Sequence, residues 1–476
     1  MNGFTSFYWH DYETFGIDPC RDRPAQFAGQ RTNGDLEPIG DPLAIYCRPA
    51  RDVLPNPISC LITGITPQRA ERDGLIEAEF AARIQEELAE PGTCAVGFNS
   101  IRFDDEFTRN LLYRNFYDPY AREWENGNSR WDVIDLARMC YALRPQGIEW
   151  PLREDGTPSF RLEDLTAANN IGHQQAHDAL SDVNATIAIA RLLRQRQPRL
   201  FAWYFALRRK QRAFELLDHV HRTPVLHVSS RYPAERGCIA MVAPLAVHPL
   251  QPNKVIVYDL DTDPATLLAL DAADIADRVF VSRVDLPEGI ERIPLKAVSA
   301  NRSPALAPIS VLASVDTARI RLDPDRCLAH LKVLQNEAGL AAKIGEVFGA
   351  PAAEREPFDP DLALYHGFFS DFDRKLLRDV RGTPPDQLAT GRFAFNDSRC
   401  AELLFRYRAR NWPSSLSADE AARWEEFRRN KLTVQTETTT LTLDDYFREI
   451  ALRRTTASGA QTTILDALEH WGREII

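Results

Sequence analysis

The run FTSFYWHDYETF (residues 4–15) sets two carboxylates, Asp11 and Glu13, among Phe7, Tyr8, Trp9 and Phe15. Aromatic and threonine-rich composition favours a β-strand, and the strand's side-chain period of two turns both acids to one face. Like charges buried together on so apolar a strand cost several kcal/mol unless a cation neutralises them. The pair is therefore either a solvated strand end or one wall of a cation site, and the rest of the chain has to decide between these.

Two further acidic groups bear on the choice. Asp104 and Asp105 follow CAVGFNSIRF, where a loop gives way to a helix; there an acid also serves simply as a cap or first-turn residue favoured by the helix dipole. In HDALSDVNATIAIARLL (177–193), small and apolar residues recur at helical spacing, Asp182 falls one turn in, and His177 lies in or just before the first turn. Taken alone, this reads equally as a capping His-Asp pair and one exposed Asp. Together the order is DxE, then D, then HxxxxD. Hard oxygen ligands suit Mg2+ or Mn2+ and do not make a zinc site. Two such ions ~3.5–4 Å apart can serve both oxygens of a phosphodiester displacement, and a histidine, whose unperturbed pKa is ~6.5, suits removal of a proton from water.

The organisation is that of a large globular chain. Of 476 residues, 44% are apolar and 26% charged, which excludes disorder, and the length suggests about three domains. The net charge of −11, from 57 Lys+Arg and 68 Asp+Glu, excludes a uniformly basic nucleic-acid binder. A local basic groove remains possible, because steering depends on where charge sits. Eight cysteines form no CxxC pair and read as reduced thiols. The start lacks a signal-peptide pattern. The longest apolar run, CIAMVAPLAV (238–247), is interrupted by Pro244 and is far short of the ~20 residues of a membrane span. A soluble cytoplasmic protein is expected.

Along the chain, a β-meander (FTSFYWHDYETF, QFAGQRT, LAIYCRP) leads into alternating helix and strand, then helices from His177 to Glu215 broken at Pro198. Short β-runs (VLHVSS, CIAMVAPLAV, KVIVYDL, RIPLKAV) follow, with one or two helices near 264–278. Residues 325–348 are helical and lead into a linker at 349–361. Beyond it only helical periodicity is visible.

HDYETFG, FNSIRFDDEFTRN and HDALSDVNAT resemble the signatures of the DEDDh exonuclease superfamily. RPAQFA, LITGITPQ, YRNFYDPYAREWENGNSRWDVIDLARMCYALRP, SFRLEDLTAANNI, RQPRLF and FRYRARN are similar, more narrowly, to the bacterial exodeoxyribonuclease I family. The resemblance implies an α/β fold. A ribonuclease H-like nuclease domain with a mixed sheet (1–198) would be followed by an SH3-like β-containing domain (199–352) and an all-α C-terminal domain (356–476), the three forming a clamp around single-stranded DNA. It further implies processive 3′-to-5′ hydrolysis of single-stranded DNA to 5′-mononucleotides in DNA repair and recombination. Two Mg2+ ions, with Mn2+ as a substitute, would be held by Asp11, Glu13 and Asp182. Asp104 is chosen over Asp105 by the resemblance alone and completes the acidic set; His177 is the general base. Glu13 also touches the terminal nucleotide, Arg161 binds its phosphate or sugar, and Arg109, Tyr120, Trp124 and Arg138 contact the strand. Lys296, Asn301 and Arg302 are candidates for a strand-facing wall in the middle domain. The partners implied are single-stranded DNA and the acidic C-terminal tail of single-stranded DNA-binding protein; the chain is expected to act as a monomer, with no membrane.

From the residues themselves, two stretches suit a single strand. RLLRQRQPRLFAWYFALRRKQR (191–212) carries eight Arg or Lys and no acid, with Phe201, Trp203, Tyr204 and Phe205 among them; two amphipathic helices with aromatic cores would read the same way. In 113–124, Tyr113, Phe116, Tyr117, Tyr120 and Trp124 alternate with Arg114 and Arg122. Aromatic stacking is worth roughly 1–3 kcal/mol per base and tolerates any sequence; Phe116 is the expected core member. The alternatives to a DNA exonuclease are a DEDDh 3′-5′ exoribonuclease, against which the ~275 residues beyond a minimal nuclease domain argue, and a non-catalytic strand binder, against which the complete set of four acids and a histidine argues.

Overall fold

The computed structural model describes residues 4–173, 177–349 and 359–476. Much of the expected linker at 349–361 lies outside the described residues. The chain forms two compact units, the first made of residues 1–129, 173–186 and 356–476 and the second of 130–172 and 187–355.

In the first unit, the aromatic run becomes β1 (Ser6–Thr14), followed by β2 (Pro24–Thr32) and β3 (Pro38–Tyr46), an antiparallel meander punctuated by prolines and glycines. Helix α1 (Glu77–Leu88) follows, its Phe80, Ala81, Ile84 and Leu88 buried at helical spacing, and β4 (Thr93–Gly97) then pairs parallel to β1. The strand order is β3-β2-β1-β4, so β1 is central and the sheet is mixed, as expected. Pairing with β4 covers only Ser6–Trp9, whereas β2 pairs with β1 through Thr14. The half of β1 that carries Asp11 and Glu13 thus runs past the end of β4. Helix α2 (Asp104–Arg114) begins beside it.

The helices after residue 359 belong to this same unit and close its core. Leu443, Tyr446, Ile450, Leu465, Leu468 and Trp471 pack with Phe15, Ala25, Leu54 and Cys60 of the N-terminal region. Tyr407, Leu403 and Leu377 pack with Tyr113 and Phe116, so Phe116 is the core residue it was expected to be. A charged network is buried in the same unit: Arg410 bridges Asp52 (2.8 Å) and Asp361 (2.6 Å), Lys431 reaches Asp52 (2.9 Å), and Arg406 binds Asp359 (2.5 Å) and Asp361 (2.9 Å).

The unit boundary falls within β5 (Ser129–Asp132) and within α3 (Ala179–Arg196). The second unit is built on a five-stranded antiparallel sheet of β6 (Val225–Val228), β7 (Ile239–Val247), β8 (Lys254–Asp259), β9 (Leu295–Ser299) and β10 (Ala305–Pro308) in the order β10-β6-β7-β8-β9. Pro244, which interrupts the apolar run, sits where the β7–β8 register shifts, a tolerated place for a residue without an N–H. The strand β10, only four residues long, carries no alternation that the sequence reading detects. The stretch 191–212 resolves into the amphipathic-helix alternative: Phe201 and Tyr204 are buried against Trp131 (5.0 and 5.3 Å between ring centroids). The Arg208 guanidinium lies 3.7 Å from the Phe205 ring centre.

Candidate metal centre and nuclease site

Strand register brings the site together. Asp11 pairs across β2 with Ala28 and Glu13 with Gln26; the Gln26 side chain accepts a long 3.5 Å hydrogen bond from the Ala179 N–H at the start of α3. Asp178 caps that helix through Ser181 N–H (3.1 Å), which sets Asp182 in its first turn facing β1. Glu13, His177 and Asp182 each offer one ligand atom, and these three atoms lie within 4.8 Å of one another.

The chain beyond β4 gives the two adjacent aspartates different partners. Gly97 presses against the β1 backbone so closely that an added Cβ would lie 2.9 Å from the His10 carbonyl oxygen. Asn99 takes a left-handed conformation (φ 67°), and α2 then starts at Asp104. The Oδ1 of Asp104 accepts the Tyr12 N–H at 3.0 Å, a donor on the stretch of β1 that β4 does not reach. Asp105 instead accepts from the Arg122 guanidinium at 2.6 Å, both side chains being buried. Asp104 therefore joins Asp11, while Asp105 belongs to an ion pair.

The electrostatics are those of crowded acids. Burial raises the Asp11 carboxyl well above its ordinary range, and Asp104, Glu13 and Asp182 raise it further. Burial, then Asp182 and Asp178, push Glu13 up to about 8. Asp182 is raised by burial against the opposing pull of two histidines, His173 and His177. Such groups are costly as anions and become favourable when a cation sits among them. The donors, carboxylate oxygens with one imidazole, fit a divalent ion.

His177 is exposed, with a left-handed backbone (φ 66°), and its ring and backbone N–H both favour the charged form of the Asp182 carboxyl. A residue that sequence reasoning missed, His173, places Nε2 2.5 Å from Asp182 Oδ1; the repeat of histidine at 173 and 177 was the available signal.

The expected strand contacts fall into three groups. Trp124 is 66% exposed and Tyr120 half-buried. Tyr120 adjoins Tyr365 (6.5 Å) and the exposed Phe368 (5.5 Å), aromatic neighbours from the C-terminal segment YHGFF that sequence reasoning did not single out. Arg109 is buried, its guanidinium bound to Glu123 (2.7 and 2.9 Å) and Glu106 (2.8 Å), because the arginines of this stretch pair internally, as Arg114 also does with Glu77 (2.7 Å). In the second unit, Arg138 is likewise buried against Asp135 (2.7 Å), Arg161 is exposed beside Glu163 (2.9 Å), Lys296 lies near the Tyr232 ring, and Asn301 and Arg302 are exposed. The second unit also holds an apolar cavity of about 410 Å³, lined by Leu143, Pro198, Leu200 and Trp203 with Arg144 and Arg199.

Residues 8–190 match the family model described as Exonuclease, so the class is that of an exonuclease domain. Residues 208–350 match the Exonuclease I SH3-like domain and 358–475 the Exonuclease I C-terminal domain. Exodeoxyribonuclease I of Escherichia coli K12 is 48% identical over 433 residues, 90% of each chain. The solved E. coli exonuclease I in complex with a dA16 oligonucleotide has a TM-score of 0.95 at 44% identity, covering 99% of this chain and 100% of that one. A solved ExoI/SSB-Ct complex has a TM-score of 0.92 at 44% identity with the same coverage. The chain belongs to the exonuclease I family. The expected succession of mixed-sheet nuclease domain, SH3-like domain and helical C-terminal region agrees with these matches.

Proposed function

We propose that the protein hydrolyses single-stranded DNA processively from its 3′ end, releasing 5′-mononucleotides, with Asp11, Glu13 and Asp182 holding two Mg2+ ions. The observation that supports this most is the convergence of those carboxylates with Asp104 and His177 on the open half of β1, in acids whose raised affinity for protons marks an unmet need for positive charge. Divalent ions held by Asp11, Glu13 and Asp182 would supply Lewis-acid stabilisation of the charge that develops on the phosphodiester. His177, exposed beside the acids, takes the proton of the attacking water. Asp104 ties α2 to the Tyr12 N–H and adds negative charge beside Asp11. Glu13 also meets the terminal nucleotide, and Arg161 its phosphate or sugar, by the bidentate geometry of a guanidinium.

Bases of the strand stack on Trp124 and Tyr120, extended by Tyr365 and Phe368, while buried Arg109 supports that surface through the carboxylates it holds; Arg138 contacts the strand from its own unit. DNA is favoured over RNA because the E. coli relative is named an exodeoxyribonuclease and its solved counterpart holds an oligonucleotide of dA. In this reading, residues 1–198 form the nuclease domain, 199–352 the SH3-like domain and 356–476 the helical C-terminal domain, and the chain acts as a cytoplasmic monomer. No helix among the described residues is long and apolar enough to cross a membrane.

For the acidic tail of single-stranded DNA-binding protein, the apolar cavity with Arg144 and Arg199 offers the matching chemistry, apolar side chains beside carboxylates. Arg144→Ala should weaken binding of a fluorescent tail peptide without changing hydrolysis of a naked oligonucleotide. The decisive test of the function is incubation of a 3′-labelled single strand and its duplex with and without Mg2+. Metal-dependent release of labelled mononucleotide from the single strand alone is expected; internal cleavage, or equal cleavage without metal, would refute the reading.

A further inference from the structure

We propose that His173 is a positioning residue: it fixes the rotation of the Asp182 carboxylate so that its remaining oxygen meets the cation that Asp182 holds with Asp11 and Glu13. The inference rests on the metal-site reading above and concerns a side chain that the spacing DxE, D, HxxxxD leaves out. An aspartate's terminal torsion is broad and roughly two-fold, so an unsupported carboxylate samples many directions. Here one oxygen is occupied. His173 Nε2 stands 2.5 Å from Asp182 Oδ1, and since a carboxylate only accepts, the ring is the donor.

Both side chains are withdrawn from water, with exposures of 6% for His173 and 16% for Asp182, so the bond is not exchanged freely for solvent. A ring nitrogen of His177 lies within 4.8 Å of ligand atoms of both Asp182 and Glu13. The ring of His173 thus sets the carboxylate of Asp182 from behind, while the proposed base stands on its other side. Hydrogen-bond donors behind metal-ligating carboxylates orient them, and their loss typically costs 10–100-fold in metal affinity.

The test is Mn2+ binding by the full-length protein without DNA, read by calorimetry and by the Mn2+ electron paramagnetic resonance signal, with thermal melts to verify folding. His173→Leu fills the space without a donor and should weaken Mn2+ binding by about 10–100-fold. His173→Gln restores an N–H donor and should recover most of it. In an Asp182→Asn background, His173→Leu should add no further loss. Equal Mn2+ affinity in wild type and His173→Leu would overturn the proposal, as would an equal loss with and without Asp182, or failure of both His173→Leu and His173→Ala to fold, each of which marks a purely structural role. A wild-type protein that binds no Mn2+ would sink the metal-site reading itself, a result distinct from all of these.

Discussion

Asp104 and Asp105 are chemically identical neighbours on one helix turn, and their surroundings give them opposite fates. Asp104→Asn should lower hydrolysis by at least ~100-fold while leaving the melting temperature nearly unchanged, since even groups behind metal ligands cost 10–100-fold. Asp105→Asn leaves Arg122 buried beside a neutral partner, so a stability loss of roughly 3–5 kcal/mol is expected in urea titration, with hydrolysis preserved in the folded fraction. Glu13 gives a pH signature. Its folded-state affinity for protons is raised, so in chelator-treated protein its stabilising contribution is full below the unfolded carboxyl range near pH 4 and is lost as pH climbs towards about 8. Melting temperature should fall over that window, divalent cations should reverse the fall, and Glu13→Gln should flatten it.

At the level of elements, the C-terminal helices are tied to the N-terminal region by charge as well as by apolar packing. Burial alone would raise Asp52, but Arg410, Lys431 and Arg23 more than reverse this and hold it well below its ordinary range; Asp361 is held down in the same way by Arg410 and Arg406. These depressed acids contribute stability that is complete above about pH 4 and is lost as pH falls through their native values, where the unfolded chain binds more protons. Urea midpoints should therefore drop steeply below pH 4. Arg410→Ala strands two buried carboxylates and should cost roughly 3–5 kcal/mol at neutral pH. The strands, the first nuclease helices and the helical periodicity after residue 360 were readable from local patterning because period and propensity act over a few residues. That the late helices complete the core around Phe15 and Cys60 was not, because contacts across some 400 positions leave no local trace.

For the whole molecule, a net charge of −11 repels a polyanion at long range, so strand binding has to come from short-range stacking and local cations. Trp124→Ala and Phe368→Ala should each weaken oligonucleotide binding by roughly 1–3 kcal/mol, measured by fluorescence anisotropy, with little effect on the melt, since both side chains are exposed. Removing residues 360–476 should give insoluble or unfolded protein and no free-standing nuclease, because it uncovers the apolar surface of the N-terminal region.

The residue types and their order declared the chemistry: DxE on one strand face, an acid at a helix start and HxxxxD name hard-ligand, phosphodiester-directed groups before any fold is known, because side-chain periodicity and ligand hardness are local properties. Which aspartate turns to β1 and which to Arg122, which arginines reach solvent and which histidine stands beside Asp182 are directional facts. They depend on how β1 outruns β4 and how α2 and α3 are aimed beside it. Arginines that read as a strand-binding comb proved to be largely buried counter-charges, since burial of a charge is decided only when its partner from a distant segment has arrived.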